Sequence, residues 1–258
     1  MKQRFITAAL AGVLFLLTAV IGGISFTILI TLLALIGFWE FLRMRNLPLL
    51  SIPGVAGLLL IALLVPEPGF TPIPEADLFM LAFFLLLLYT VLSKNAFTFD
   101  DTAFVLLSIL YVGFGFHYLL VTRLEDHGLH LLLFILLVIW SSDSGAYFTG
   151  KRIGKKKLLP EISPKKTVEG AAGGIVAALV VSVICQFLFP VYETFGFAML
   201  AAVVISVFGQ IGDFVESAFK RHYGVKDSGS LLPGHGGILD RCDSWLFVLP
   251  ILYLLNFI

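Results

Sequence analysis

Charge is what this chain has least of. Charged residues make up 13% of its 258 positions, whereas the hydrophobic fraction is 59% and the mean hydropathy is +1.02. A soluble domain carries roughly 25% charged residues, so that class is excluded. Cysteine is almost absent too: Cys185 sits deep in an apolar run and Cys242 in a polar block. With Gly170 at the start of that run, Cys185 lies about 22 Å further along a helix axis at 1.5 Å per residue. Thiols at such different depths cannot bridge, which predicts free cysteines and no disulfide framework. The chain also lacks internal repeats, low-complexity tracts and any soluble domain. After Met1-Lys2-Gln3-Arg4 and the run from Phe5 no Ala-x-Ala pattern follows, so the expectation is a retained first span and not a cleaved leader.

Long apolar runs are what the chain does have. They cover approximately 5–22, 24–42, 52–65, 78–93, 102–121, 129–148, 170–190, 196–214 and 243–257. Most approach the ~20 residues that a spanning helix needs. The third is short and contains Pro53, which leaves it tilted, re-entrant or packed inside a bundle. The expectation is an all-α polytopic membrane protein of about nine transmembrane helices. Placing the N-terminus in the cytosol puts 16 of the 17 basic residues on that side, with Arg123 alone opposite. The positive-inside rule makes this orientation the expected one, and an odd span count then leaves the C-terminus outside. Residues 1–128 form N-terminal transmembrane helices in this reading. Residues 129–258 form a catalytic transmembrane region with two cytosolic polar loops, 149–169 and 215–242.

The later loop is dense in chemistry. It runs Ser217-Ala218-Phe219-Lys220-Arg221-His222, then Lys226-Asp227-Ser228-Gly229, then Leu232-Pro233-Gly234-His235-Gly236-Gly237-Ile238-Leu239-Asp240-Arg241-Cys242-Asp243. Asp240 and Asp243 are three apart and share a helix face, and Asp213, Glu216, Ser217 and Lys220 also follow helical spacing. A carboxylate near a bilayer is costly unless paired, solvated or metal-bound. Two readings stay open on spacing alone: a structural ion network with Lys220, Arg221 and Arg241, or a divalent cation site. Oxygen ligands without a Cys/His cluster favour Mg²⁺ over zinc. The glycines around His235 precede the last helix, where backbone N–H groups and the helix dipole suit a phosphate. His235 itself is either a phosphate donor, an acid/base, or a hydrogen-bonded loop residue.

The earlier loop reads Asp143-Ser144-Gly145-Ala146-Tyr147, then Gly150-Lys151-Arg152, then Ser163-Pro164-Lys165-Lys166-Thr167-Val168-Glu169-Gly170. Ser163 with Pro164 has the form of an N-cap and first helical residue, which predicts Lys165 and Lys166 in a first helical turn. Cations there oppose the dipole and imply a compensating anion. The basic residues from Lys151 to Lys157 read as a patch facing anionic lipid. Gly170, Gly173 and Gly174 read as a close-packing side of the next helix.

The loops resemble the phosphatidate cytidylyltransferases. That family's signature is Ser-x-apolar-Lys-Arg, four residues, Lys-Asp, then Pro-x-His-Gly-Gly-apolar-x-Asp-Arg-x-Asp. It is matched in register by Ser217, Phe219, Lys220, Arg221, Lys226, Asp227, Gly229, Leu232, Pro233, His235, Gly236, Gly237, Ile238, Asp240, Arg241 and Asp243. Cys242 departs from the aliphatic, Phe, Met or Thr usual there. Gly212-Asp213 with Glu216-Ser217, and Ser163 to Thr167 with Glu169-Gly170, extend the likeness to about residues 143–243. The resemblance implies CTP and phosphatidic acid as substrates, CDP-diacylglycerol and pyrophosphate as products, and a multi-pass enzyme of the inner cell membrane with a cytosolic active site. It implies Mg²⁺ on Asp213, Asp240 and Asp243, with Asp143 as a further candidate and a second cation left open. Phosphate oxygens would be held by Lys165, Lys166, Lys220, Arg221, Lys226 and Arg241, with Gly236 and Gly237 at the phosphate. Asp227 and His235 are carried over without assigned roles. Family members are often homodimers, on which the residues themselves are neutral, and no nucleic acid partner is expected.

Three rival readings differ from this one. A CTP-dependent polyprenol or phytol kinase would release CDP and not pyrophosphate. A transporter would place charges near the bilayer midplane on broken helices, whereas here the acids gather at helix ends. A CDP-alcohol phosphotransferase would carry Asp-Gly-x-x-Ala-Arg, which is absent.

Overall fold

The structure is a computed structural model that describes residues 2–66, 70, 72–231, 234 and 236–258, with backbone alone for residues 2–8 and Glu75. Among the described residues there are nine helices: α1 (Lys2–Ile21), α2 (Gly23–Met44), α3 (Ile52–Leu64), α4 (Glu75–Leu92), α5 (Phe99–Leu124), α6 (Gly128–Ile153), α7 (Val168–Leu188), α8 (Phe195–His222) and α9 (Leu239–Leu254). Of these, α2, α5, α6, α7 and α8 are long and apolar enough to cross a membrane. Much of their apolar surface stays uncovered by protein, with Phe187 and Leu188 each 74% exposed, as expected of side chains that face lipid.

The expected all-α architecture needs one correction. Strands β1 (Lys157–Leu159) and β2 (Ser163–Thr167) form an antiparallel hairpin between α6 and α7. Lys165 and Lys166 therefore lie on a strand, not in a first helical turn. Two caps compete in this stretch, and Thr167 wins: its side chain accepts from Gly170 N–H at 3.1 Å and α7 begins at Val168. The polar loops are also shorter than expected, because α6 runs on to Ile153 and α8 to His222. Basic residues occupy those last turns, Lys151 and Arg152 on α6 and Lys220, Arg221 and His222 on α8, where cations complement the dipole.

The chain divides into two compact units, Met1–Val121 with Val225–Arg241, and Thr122–Gly224 with Cys242–Ile258. The first unit thus takes in most of the polar segment that the sequence places with the C-terminal region. Its α3 is 13 residues long, about 20 Å at 1.5 Å per residue, and tucks Gly57 against the Phe38 ring of α2. Helix α5 opens with a capping box: Thr98 N–H and Oγ donate to Asp101 Oδ2 at 2.9 and 2.8 Å, and Asp101 N–H donates back to Thr98 Oγ at 3.2 Å.

In the second unit α6 and α7 meet along small residues, as the glycine spacing predicts. A Cβ on Gly145 would lie 2.8 Å from Gly173 O, and one on Gly174 would lie 2.9 Å from Ser142 O. A buried polar seam ties these helices to α8. Ser142 Oγ meets Ser206 Oγ at 2.7 Å, and Gln210 Nε2 donates to Ala171 O at 3.3 Å. Such contacts satisfy polar groups internally where lipid offers no partner.

Candidate active site

Within the second unit, three helices and the hairpin bring one set of charges together. Asp143 of α6, Asp213 of α8 and Asp243 of α9 lie close enough to feel one another's charge, and Lys166 and Lys220 stand within the same electrostatic reach. Lys166 Nζ pairs with Asp213 Oδ2 at 2.8 Å and lies 4.3 Å from the Phe214 ring centroid. Ser217 Oγ donates to the other oxygen, Oδ1, at 3.3 Å. Lys220 pairs with the buried Glu216 one turn away on α8. Asp243 Oδ1 accepts from Ser244 N–H at 2.8 Å. Asp143 is exposed, and Asp213 and Asp243 are half-buried.

Close helix approach creates this cluster. A Cβ on Gly212 would sit 2.8 Å from both Asp243 O and Phe247 Cβ, so α8 meets α9 closely only through glycine there. The next residue, Asp213, is thereby brought beside Asp243. On β2 successive side chains alternate, which turns Lys166 toward Asp213 and leaves Lys165 exposed. The anion expected opposite these lysines is thus present for Lys166, as Asp213. Glu169 braces the hairpin by accepting from Lys155 N–H at 3.0 Å and Lys156 N–H at 3.2 Å. Arg221 Nε donates to Ile162 O in the hairpin turn at 3.4 Å.

The glycine loop belongs to the first unit and is built differently. Asp240 Oδ2 accepts from Ser228 N–H at 2.8 Å, Ser228 Oγ at 2.9 Å and Gly237 N–H at 2.8 Å. Glu40 of α2, with no exposed surface, accepts from Ile238 N–H and Leu239 N–H, both at 2.9 Å, and meets Ser228 Oγ at 3.0 Å. The backbone donors expected to cradle a phosphate at Gly237 and the start of α9 are therefore already engaged by the protein's own carboxylates. Gly236 keeps its turn through φ +85, a left-handed conformation that glycine adopts at little cost. Lys226, Asp227 and Arg241 are exposed, and His235, Leu232 and Pro233 lie outside the described residues. Asp240 and Asp243 share a helix face as their spacing predicts, yet they serve different surroundings.

Glu40 is the residue that sequence reasoning missed. The signature stops well short of it, and an apolar run conceals it. The signal was nonetheless there, because a lone ionisable side chain inside such a run marks a site by default.

The donor chemistry around Asp143, Asp213 and Asp243 suits a hard divalent cation: carboxylate oxygens with no histidine or thiol among them. Among the described residues, no three carboxylate, histidine or cysteine side chains converge closely enough to hold a metal ion, so these acids would have to draw together around one. Lys166 supplies the positive charge at Asp213 in this arrangement.

Comparison with known proteins agrees over the whole chain. A family model described as the cytidylyltransferase family matches residues 2–258. The chain is 50% identical over 261 residues to a phosphatidate cytidylyltransferase of Bacillus subtilis, covering 99% of this chain and 97% of that one. It is 46% identical over 258 residues to a protein of the same name from Staphylococcus haemolyticus, and 45% identical over 259 residues to one from Staphylococcus aureus, covering 99% of this chain and 98% of theirs.

Proposed function

Because the chain belongs to the cytidylyltransferase family, we infer that it transfers the cytidylyl group of CTP to phosphatidate, giving CDP-diacylglycerol and pyrophosphate. The observation that carries the site is the grouping of Asp143, Asp213 and Asp243 with Lys166 and Lys220 in one unit. Asp243 lies in the second turn of α9, whereas Asp143 and Asp213 lie ten and nine residues before the ends of α6 and α8, deeper than their sequence positions suggested.

Asp143, Asp213 and Asp243 are the residues that would hold Mg²⁺. When bound, the ion would screen the triphosphate and draw charge from the α-phosphoryl group. Lys166, paired with the partly exposed Asp213, is placed to exchange that partner for phosphate oxygens, while Lys220 keeps its buried partner Glu216 and adds positive charge beside Asp243. Lys165 and Arg221 supply further positive charge in the same unit, Lys226 and Arg241 stay phosphate-binding candidates of the first unit, and Asp227 and His235 keep unassigned roles. Asp240 is reassigned from metal ligand to anchor, since one of its oxygens already serves three donors.

The lipid phosphate is itself an anionic nucleophile, so no general base is required. Its oxygen attacks the α-phosphorus, the bond to the bridging β-phosphate oxygen breaks, and pyrophosphate leaves with that electron pair. The protein's work is alignment and charge screening. A covalent nucleotidyl-enzyme would add a second barrier without need. Both substrates must then be bound together, and initial rates should give intersecting patterns, with parallel lines contradicting direct displacement. We place the site on the cytosolic face of the inner membrane, with about nine helices in the membrane, the short α3 among them, and the N-terminal end inside, supported by the basic residues that end α2, α6 and α8. Single cysteines at Lys157 and Ser230 should be labelled from the cytosolic side and one at Asp126 from the other. The reaction itself is tested with purified protein, phosphatidic acid, CTP and Mg²⁺. CDP-diacylglycerol and pyrophosphate should appear in equal amounts, whereas CDP would indicate a kinase.

A further inference from the structure

The basic run that ends α6 and enters the hairpin is charge that the reaction above leaves unused. It comprises Lys151, Arg152, Lys155, Lys156 and Lys157, with no acid among them. All are exposed, and among the described residues none is held in an ion pair. Like charges crowded in this way repel one another, which costs stability unless an outside anion offsets it.

The length of α6 sets the level of this run. Its 26 residues extend about 39 Å at 1.5 Å per residue, whereas a bilayer's hydrocarbon core is about 30 Å thick, or roughly 20 helical residues. With Gly128 at the far boundary, Tyr147 comes at the near one, and Phe148 to Ile153 reach into the headgroups. Tyrosine favours that boundary. Tyr147 is 62% exposed, Phe148 and Ile153 are each 60% exposed, and Lys151 Nζ lies 5.8 Å from the Tyr147 ring centroid.

The hairpin holds the other cations in place. Glu169 accepts from the backbone N–H groups of Lys155 and Lys156, which fixes the chain there and leaves both ammonium groups exposed. Strand β1 begins at Lys157 and ends at the exposed Leu159, and its partner β2 carries Lys166 to Asp213. One two-stranded element thus presents cations to the surroundings and a lysine to the acid cluster.

Two kinds of anion suit such a patch, a nucleotide in water or a lipid headgroup. The apolar side chains decide between them. Tyr147, Phe148, Ile153 and Leu159 are exposed beside the cations in the chain. A dissolved nucleotide leaves such groups wet, whereas a bilayer surface offers phosphate and hydrocarbon together.

We propose that the Lys151–Lys157 run and β1 dock on the phosphates of anionic phospholipid, phosphatidate included, and concentrate that substrate at the hairpin that reaches the acid cluster. This deepens the function proposed above and rests on it. Each lysine near an anionic surface strengthens binding by a factor of about five.

The test uses the full chain in phosphatidylcholine nanodiscs with phosphatidate at varied mole fraction. Lys155→Gln, Lys156→Gln and Lys157→Gln combined remove three charges and keep the backbone bonds to Glu169. The apparent KM for phosphatidate should rise about tenfold or more, with kcat and the KM for CTP unchanged. Phosphatidylglycerol should raise the KM for phosphatidate in wild type by competing for the patch, and leave it unmoved in the variant. Equal KM values for phosphatidate would overturn the proposal. A rise confined to the KM for CTP would do so too, because it would give the patch to the nucleotide. A second readout needs no turnover. The native cysteines are buried, so a bimane label on Glu161→Cys reports on the hairpin turn. Its emission should shift to the blue when phosphatidate or phosphatidylglycerol is added to phosphatidylcholine discs, and the shift should vanish with the three lysines. No shift in wild type would overturn the docking whatever the activity. A shift in a wild type that forms no CDP-diacylglycerol would uphold the docking and strike the proposed reaction instead.

Discussion

The acids of the two units meet opposite fates. In the first, Glu40 and Asp240 spend their oxygens on backbone N–H groups and on Ser228, at distances of 2.8 to 3.0 Å. In the second, Asp213 and Asp243 are half-buried, Asp143 is exposed, and the cations nearest them are lysines on a hairpin and a helix end. A carboxylate bonded to backbone is committed to shape, because releasing it leaves buried donors unsatisfied. One paired with a partly exposed lysine can exchange that partner for a ligand at small cost. The difference separates acids committed to shape from acids open to a ligand, although Asp240 and Asp243 stand three residues apart in the sequence.

Substitutions should separate the two groups. Asp243→Asn should lower kcat by about 10³-fold, the scale of losing a group that stabilises transition-state charge, while the protein melts as wild type does. Asp240→Asn should also lose activity, but with stability reduced by about 1–3 kcal/mol for the donors left unsatisfied. Thermal unfolding measured beside turnover decides this. Equal melting temperatures in the two variants would erase the distinction.

Gly212→Ala sharpens the comparison from the packing side. Its Cβ would press on Asp243 O and Phe247 Cβ, forcing α8 from α9. Overpacking of this kind costs about 1–3 kcal/mol, and activity should fall about tenfold through displacement of Asp213 from Asp243. Wild-type kinetics in this variant would show that the spacing of the two acids is unimportant.

The smallest effect should come from Arg45→Met. Arg45 pairs with Asp101 at 2.9 Å, but the side chain is 32% exposed. Pairs of that kind contribute about 0.2–1 kcal/mol, and with no substrate role proposed for either partner CTP turnover should be unchanged.

Much of this was legible in the residues. Apolar runs located the nine helices among the described residues, five of them long and apolar enough to span, and Gly170, Gly173 and Gly174 announced the packing of α7 against α6. Lys166 and Asp213 were both named from the likeness upstream of the signature, and the structure pairs them. The hairpin was hidden because Ser163-Pro164 and Thr167-Val168 are equally good local starts for a helix, and only pairing with Lys157–Leu159 chooses between them. The glycine loop misled for a different reason. Glycines before a helix advertise free N–H donors, but the acceptor that engages Ile238 and Leu239 is Glu40, far upstream and outside any motif. Long-range satisfaction of a buried polar group leaves almost no local trace.

Mn²⁺ binding followed by electron paramagnetic resonance tests the central claim most directly, since Mn²⁺ substitutes for Mg²⁺ at oxygen-ligand sites. It reports on the metal without requiring turnover. Wild type, Asp243→Asn and Asp240→Asn would be titrated in detergent in the presence of CTP. The account expects Asp243→Asn to lose the bound signal and Asp240→Asn to keep it wherever the protein remains folded. Retention by Asp243→Asn together with loss in folded Asp240→Asn would contradict it, moving the metal from the second unit's acids to the glycine loop.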